Sequence, residues 1–365
     1  MKKHCYTILL LGILTLSGCQ SIAQMSIDYL SPADVNFPDQ LKRVAVINTT
    51  PDDAANTLHN RWTDRPDTDD GHNYSKTQYL QGNAAVATEA LASALAEGNF
   101  FDEVITSDSL IRGDATSRLL TPAQVTDLTQ QLGADFLIAV ENVPLRAESV
   151  VDANAYYGMY IGSTDVKTAP VVRLYFPRHN ANNPAISRTD SIYWENYGAT
   201  FYETKSGLVS ESEMLKQASE FAGTEMAQTL IPSWHTASRY YFAGGTVNMR
   251  DAAVLAREHD WENAISLWKN VYDSSKSNKK KMYAAYNLAL GYEMTDSLET
   301  AVQWAQTSKD LAAKLDKIDE STAAGQQTSV SPEYAMASLY LSQLEKRRDE
   351  MFNVRMQMAR FGEEF

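Results

Sequence analysis

The chain has 365 residues and a formal net charge of −14, with 44% hydrophobic and 21% charged residues. Its length suits about two domains. The acidity argues against nucleic acid, whose phosphates need concentrated Lys and Arg, and against adhesion to anionic lipid through a basic patch.

The first element is a positive start, Lys2 and Lys3, followed by an apolar stretch from Tyr6 to Leu16. It is too short to span a bilayer core of ~30 Å as a helix and has the layout of a secretory signal. It closes on Leu16-Ser17-Gly18-Cys19, and in this it resembles bacterial lipoprotein precursors. The resemblance implies a signal peptide over 1–18, diacylglycerol on the Cys19 thiol and acylation of the new amine. Two or more chains give stable anchoring. Gln20, where Asp would retain the protein at the inner membrane, implies an outer-membrane position facing the periplasm. The other cysteine, Cys5, leaves with the signal, so no disulfide and no thiolate metal ligand is expected.

Residues 19–26 read as a lipidated tether, and 27–241 as a domain with a mixed α/β sheet. Strands are expected at Ile27–Leu30 and at Val44–Ile47, the latter buried because it is an apolar run bounded by turn residues. Asp52 to Tyr74 reads as a polar loop. Leu80, Ala84, Ala87, Leu91 and Leu95 then recur at helical spacing, predicting a helix from about Lys76 to Glu97 with a left-handed cap at Gly98. A strand at Glu103–Thr106 follows. Thr121-Pro122-Ala123-Gln124 carries a capping box and a first-turn proline, opening a helix to about Leu132. It delivers a strand at Phe136–Val140.

This alternation of strands and helices argues a mixed sheet. Over 141–203, alternating runs such as Val171–Phe176 and Ser191–Phe201 read as antiparallel strands. Ser210-Glu211-Ser212-Glu213 opens a helix that Pro232 stops.

Residues 242–365 read as an all-α domain with tetratricopeptide-like repeats, so the fold class expected is α+β followed by helical repeats. Asp260 to Ile265 with Trp268, and Asn287 to Tyr292 with Ala301-Val302, fit the repeat pattern. Ala264 and Ala301 hold the same repeat position at a spacing slightly above the usual ~34. Helices are expected to cross at Ala252, Ala264, Ala289 and Ala301, with Leu255, Trp268, Leu288 and Tyr292 filling the space beside them. A helix from Ser331-Pro332-Glu333 is expected to complete the stack through Tyr334, Leu339, Leu341 and Leu344. Trp234 with Arg239 to Phe242 reads as an aromatic hinge before the repeats.

No signature of catalysis, cofactor or metal binding emerges. Asp67-Thr68-Asp69-Asp70-Gly71 begins like a calcium loop, but its glycine is one position early for an EF-hand, and a solvated loop is expected. Ser277-Asn278-Lys279-Lys280 matches S-x-x-K without its companion motifs and reads as a loop between repeats. Trp194, Tyr193 and Tyr197 are candidates for a glycan platform. A repeat groove displays side chains from the first helix of each pair, which makes Asn248, Arg250, Tyr283 and Asn287 the candidate partner contacts.

The lipobox, the strand Lys42 to Asn48 and the junctions Ile231 to Trp234 and Arg239 to Tyr241 resemble a family of Bacteroidota lipoproteins with a tetratricopeptide-like C-terminal half. That resemblance implies architecture and carries no activity. The function expected is a non-catalytic adaptor, held to the membrane by its N-terminal lipid, that binds an envelope protein or peptide. The alternatives are a cell-wall or glycan-processing lipoprotein with its site on the 141–203 sheet, and a structural subunit of an envelope assembly.

Overall fold

The computed structural model describes residues 21–50, 67–110, 119–154, 156–177, 183–318 and 330–362, and Cys19 lies outside them. The chain enters in strand β1 (Ile22–Ser31), which pairs with a segment more than two hundred positions away, Ser233–Phe242. Residues 22–26, expected as a tether, are therefore strand. The chain divides into two compact units. One holds Ala33–Ser233 with 360–362; the other joins the residues up to Pro32 to Trp234–Ala359. The packed units divide at 32/33 and 233/234, beside the bounds read from sequence at 26/27 and 241/242.

The first unit runs β2 (Arg43–Asn48), β3 (Thr68–Asp69), β4 (Tyr74–Gln81), α1 (Ala84–Glu97), β5 (Glu103–Leu110), α2 (Pro122–Leu132) and β6 (Phe136–Asn142). It continues with β7 (Pro144–Asn154), β8 (Met159–Thr168), β9 (Val171–Tyr175), β10 (Ala185–Ser187), β11 (Asp190–Gly198), α3 (Phe201–Ser206) and α4 (Glu211–Leu230). A mixed sheet has the order β10-β9-β6-β2-β5, with β2 parallel to both β5 and β6. An antiparallel sheet has the order β11-β8-β7-β4-β3.

The burial follows from the residues. Val44 to Ile47 are buried on both faces of β2, as an uninterrupted apolar run requires. Val44 and Val46 face α1 and α4, while Ala45 and Ile47 face α2. Leu145, Ala147 and Val166 of the second sheet close the same α1–α4 layer from the other side. At Gly223 any Cβ would run into the backbone of Ala87, so glycine sets the close crossing of α1 and α4.

Two expectations change here. The helical pattern from Lys76 is a strand up to Gln81, because β4 pairs along its length with β7. Asn83 then caps α1, its side chain accepting from the N–H groups of Ala85 and Val86. Gly98 is right-handed, and the left-handed residue is Asn99 (φ 50°). Glycine at 98 is explained instead by packing, since a Cβ would meet Ile231. The capping box at Thr121 forms as expected.

The second unit consists of β1, β12 (Ser233–Phe242), α5 (Val247–Arg257), α6 (Trp261–Ser274), α7 (Asn278–Met294), α8 (Leu298–Asp316) and α9 (Pro332–Met358). Each helix packs on the next. The four alanines at 252, 264, 289 and 301 are buried, together with Trp268 and Leu288. Leu341 and Leu344 are buried as expected, whereas Leu339 is exposed on the outer side of α9. Ser277 and Lys279 lie at the start of α7 rather than in a loop, and Ser277 accepts from the Lys280 N–H as its cap. Among the described residues, no helix is long and apolar enough to cross a membrane.

Candidate functional site

The second unit is organised around one buried carboxylate, that of Glu293 near the end of α7. Its Oε2 accepts from Arg239 Nε at 2.9 Å and from the Tyr340 hydroxyl at 2.7 Å. Its Oε1 accepts from Arg239 Nη2 at 2.9 Å and Arg347 Nη1 at 3.1 Å. Arg347 Nη2 donates to Asp296 at 3.0 Å. Burial, and then the Glu293 charge, push the Tyr340 hydroxyl well above the ordinary tyrosine range, so it is a donor at all physiological pH. Burial lowers the Arg239 pKa, but its bonds to Glu293 outweigh this and the net shift is upward. The cluster holds two cations against two anions, the arrangement that makes buried charge tolerable.

Arg347 and Asp296, at the edge of this cluster, line a cavity of about 550 Å³ within the same unit. The face of α9 carrying Arg347, Arg348, Met351, Phe352 and Arg355 contributes a wall through its three- and four-residue spacing. β1 and Trp234 of β12 supply another, and the start of α8 the last. Asp296 takes a left-handed conformation (φ 53°) to turn the chain from α7 into α8. Ser297 then sits at the cap position without capping, because its hydroxyl donates back to the Thr295 carbonyl at 3.4 Å. At the rim, Trp234 and Phe352 are 70% and 73% exposed. Two large aromatic side chains stand exposed on the lining of one concavity. The segment 234–242 is thus a strand whose Tyr241 and Phe242 are buried and whose Trp234 opens on a cavity, where a hinge was expected.

The expected partner contacts are not gathered at one opening. Asn287 is fully buried: its side chain accepts from the Phe242 N–H and donates to the Phe242 carbonyl, both at 2.8 Å. Tyr283 is also buried, its ring 4.0 Å from that of Phe242 and its hydroxyl donating to Glu333 at 3.2 Å. Phe242 of β12 thus covers Asn287 and the ring of Tyr283, while Tyr283 also lines an opening with Gly245 and Lys279, and Asn248 lines another with Val247 and Lys280. Asn248 is half-buried, and Arg250 is exposed with Nη1 donating to the Gly245 carbonyl. The tyrosine platform divides as well. Tyr193 and Tyr197 are exposed beside Glu195, to which the Tyr197 hydroxyl donates at 2.8 Å. Trp194 faces the opposite side of β11 and donates to Gln217 of α4. Asp70 to Asn73 form the turn between β3 and β4, in which Asp70 accepts from the N–H groups of His72 and Asn73.

Sequence reasoning passed over Glu293 and Arg347, and placed Arg239 only in an aromatic junction, because each pairs with residues some fifty positions away. The one local sign was charge within apolar surroundings, at Glu293 after Leu288 to Tyr292 and at Arg239 before Tyr240 to Phe242.

Two such units in one chain, one sheet-rich and one helical, define an α+β protein with a cavity in its helical part. Residues 41–242 match a family described as a domain of unknown function, DUF8603, and residues 250–346 match another, DUF6340. The first match covers more than half of the chain, and the chain belongs to the DUF8603 family. That match runs on through β12, which structurally joins the helical unit. Comparison with curated proteins gives no match, and comparison with solved structures gives none either.

Proposed function

We propose that the protein is a non-catalytic adaptor of the bacterial envelope, anchored by lipid on Cys19 and facing the periplasm. Its helical unit, read as tetratricopeptide-like, binds an envelope protein or peptide. The observation that carries the reading is the cavity of about 550 Å³ rimmed by exposed Trp234 and Phe352. Exposed aromatics around a concavity are the usual anchors of protein recognition. The repeat reading is supported by the burial of Ala264 and Ala301, the equivalent positions of successive helix pairs. The membrane anchor rests on the lipobox, and Cys19→Ser is expected to release the protein from the membrane fraction.

The test is a photocrosslinking amino acid placed in cells at Trp234 or Phe352, with Tyr202 of the other unit as the control position. A discrete protein adduct at 234 or 352 and none at 202 supports the adaptor. No adduct at 234 or 352 counts against it. A second reading, glycan binding or processing, is favoured by Tyr193 and Tyr197 standing exposed on one sheet face beside Glu195. Hydrolysis or retention of peptidoglycan by the purified protein, lost on Glu195→Gln or Tyr193→Ala, would carry that reading.

A further inference from the structure

We propose that β1 is the interface of a homodimer, its free edge pairing antiparallel with β1 of a second copy about a two-fold axis at Ser26. The two hairpins then form one four-stranded sheet in the order β12-β1-β1-β12. The adaptor reading neither requires this pairing nor follows from it.

The first observation is which backbone groups of the hairpin lack partners. Ala243 donates its N–H to the Ser21 carbonyl across the two chain segments. In an antiparallel pair that bond fixes the alternation along both strands. Odd-numbered residues of β1 and β12 turn their N–H and C=O groups towards each other, and even-numbered residues turn theirs outward. Phe242 agrees with this, because its outward N–H and C=O are both taken by the Asn287 amide at 2.8 Å. A side chain therefore closes the edge of β12 at that point. On β1 the outward groups belong to Ile22, Gln24, Ser26, Asp28 and Leu30. Among the described residues β1 pairs with β12 alone, and no other backbone group bonds to these five.

Such an edge is a template for another strand, and proteins usually guard it with Pro, Lys or a bulge. The ten residues of β1 include no Pro, no Gly and no basic residue, and Asp28 is the one charge among them.

The second observation is the order of the side chains, which selects a second copy over an unrelated strand. With the axis at Ser26, Ile22 faces Leu30 of the second copy, Gln24 faces Asp28, and Ser26 faces Ser26. On the other face of the strand Ala23 meets Tyr29 and Met25 meets Ile27. Each pair joins like with like, or an amide with a carboxylate. Ile22, Gln24, Ser26 and Asp28 are all exposed, so this face is open to pairing. Gln24 donates to Ser238 and Asp28 accepts from Thr236 within the hairpin. The amide keeps a second N–H and the carboxylate further lone pairs, which can bond across the axis.

The same order of residues also selects the register. Sliding the copies by one pair sets Ile22 against Asp28 in one direction and Gln24 against Leu30 in the other. Sliding further brings Asp28 against itself, a repulsive pair, or shortens the ladder.

The test is disulfide crosslinking of the full chain in intact cells treated with an oxidant, read on non-reducing gels against the parent chain. Paired Cα atoms in this sheet would lie about 5.5 Å apart, within the ~4.4–6.8 Å that a disulfide spans. Ser26→Cys should therefore give a covalent dimer. Ser238→Cys, exposed on the neighbouring strand, should not, because three strand spacings separate it from its counterpart by about 14 Å. Gln24→Cys and Asp28→Cys should each remain monomeric alone and crosslink when expressed together. Ser26→Lys in both chains sets two ammonium groups on the axis and should abolish that mixed crosslink. The Ser26 side chain is exposed and its N–H turns away from β12, so the hairpin itself is left intact. Crosslinking at 24 or 28 alone as strong as the mixed product, or a mixed product that survives Ser26→Lys, overturns the proposal. Absence of any crosslink above the parent overturns it too, and leaves the edge of β1 to a strand from another protein.

Discussion

Glu293→Gln would leave two guanidinium groups, those of Arg239 and Arg347, around a neutral amide in a site closed to water. Removing one partner of a buried ion pair typically costs 3–5 kcal/mol, so an urea midpoint shift equivalent to about 3 kcal/mol or more is expected. Asp135 gives a pH-dependent counterpart in the first unit. Burial raises its pKa, but the bonds from the Arg43 side chain and from the N–H groups of Arg43 and Lys42 prevail, and the net shift is downward. A depressed carboxylate stabilises the folded state above the unfolded value of about 3.9, and that contribution disappears as pH falls through the lower folded value. Asp135→Asn should therefore be less stable than the parent at pH 6, with the gap closing towards pH 3 in urea titrations. Such pairs leave little trace in sequence, because Arg43 and Asp135 lie 92 positions apart. Asn287 shows the same blindness in another form. Its place in a helix was legible, while its bonds to the Phe242 backbone were not.

Helix starts were the most legible elements, since Thr121, Ser210 and Ser331 each accept from the backbone N–H three residues on, a purely local arrangement. Strand β4 was misread because Leu80 fits a helical stripe with Ala84 and Ala87, and the pairing with β7 that overrides it is tertiary. Gly82-Asn83 was the local sign of the break. The crossing of α1 and α4 is set by Gly223 against the backbone of Ala87, which cannot yield as a side chain can. Gly223→Ala should accordingly destabilise this unit by about 1–3 kcal/mol, in the range of other overpacked cores, although alanine is the better helix former. Circular dichroism during urea unfolding would measure it. Stability unchanged or raised would mean that the two helices can separate freely.

At the scale of the whole molecule, the sheet-rich and helical halves were both apparent from their periodicities. The packed units divide at 32/33 and 233/234 because β1 and β12 find each other across the entire first unit. Ser21 bonds to Ala243, Gln24 to Ser238 and Asp28 to Thr236, numbers that rise on one strand as they fall on the other. The strands are therefore antiparallel, and Ser31 and Ser233 lie at the same end of the pair. A chain in which Asn-Gly replaces residues 33–232 should fold its helical unit as an ordinary hairpin and five helices, with an undiminished midpoint in urea. Loss of helical structure in that chain would show that the helical unit depends on the other for more than connection.

Seen from the helical unit, the roughly two hundred residues of Ala33–Ser233 are the loop of a β-hairpin. While that loop is folded its ends are held, and closing the hairpin costs almost no chain entropy. Once it unfolds, the same closure spans a random coil of about that length, at an entropic cost on the order of 4–5 kcal/mol. Melting the inserted unit therefore weakens its host through the polymer statistics of the chain, a thermodynamic linkage carried by connectivity alone.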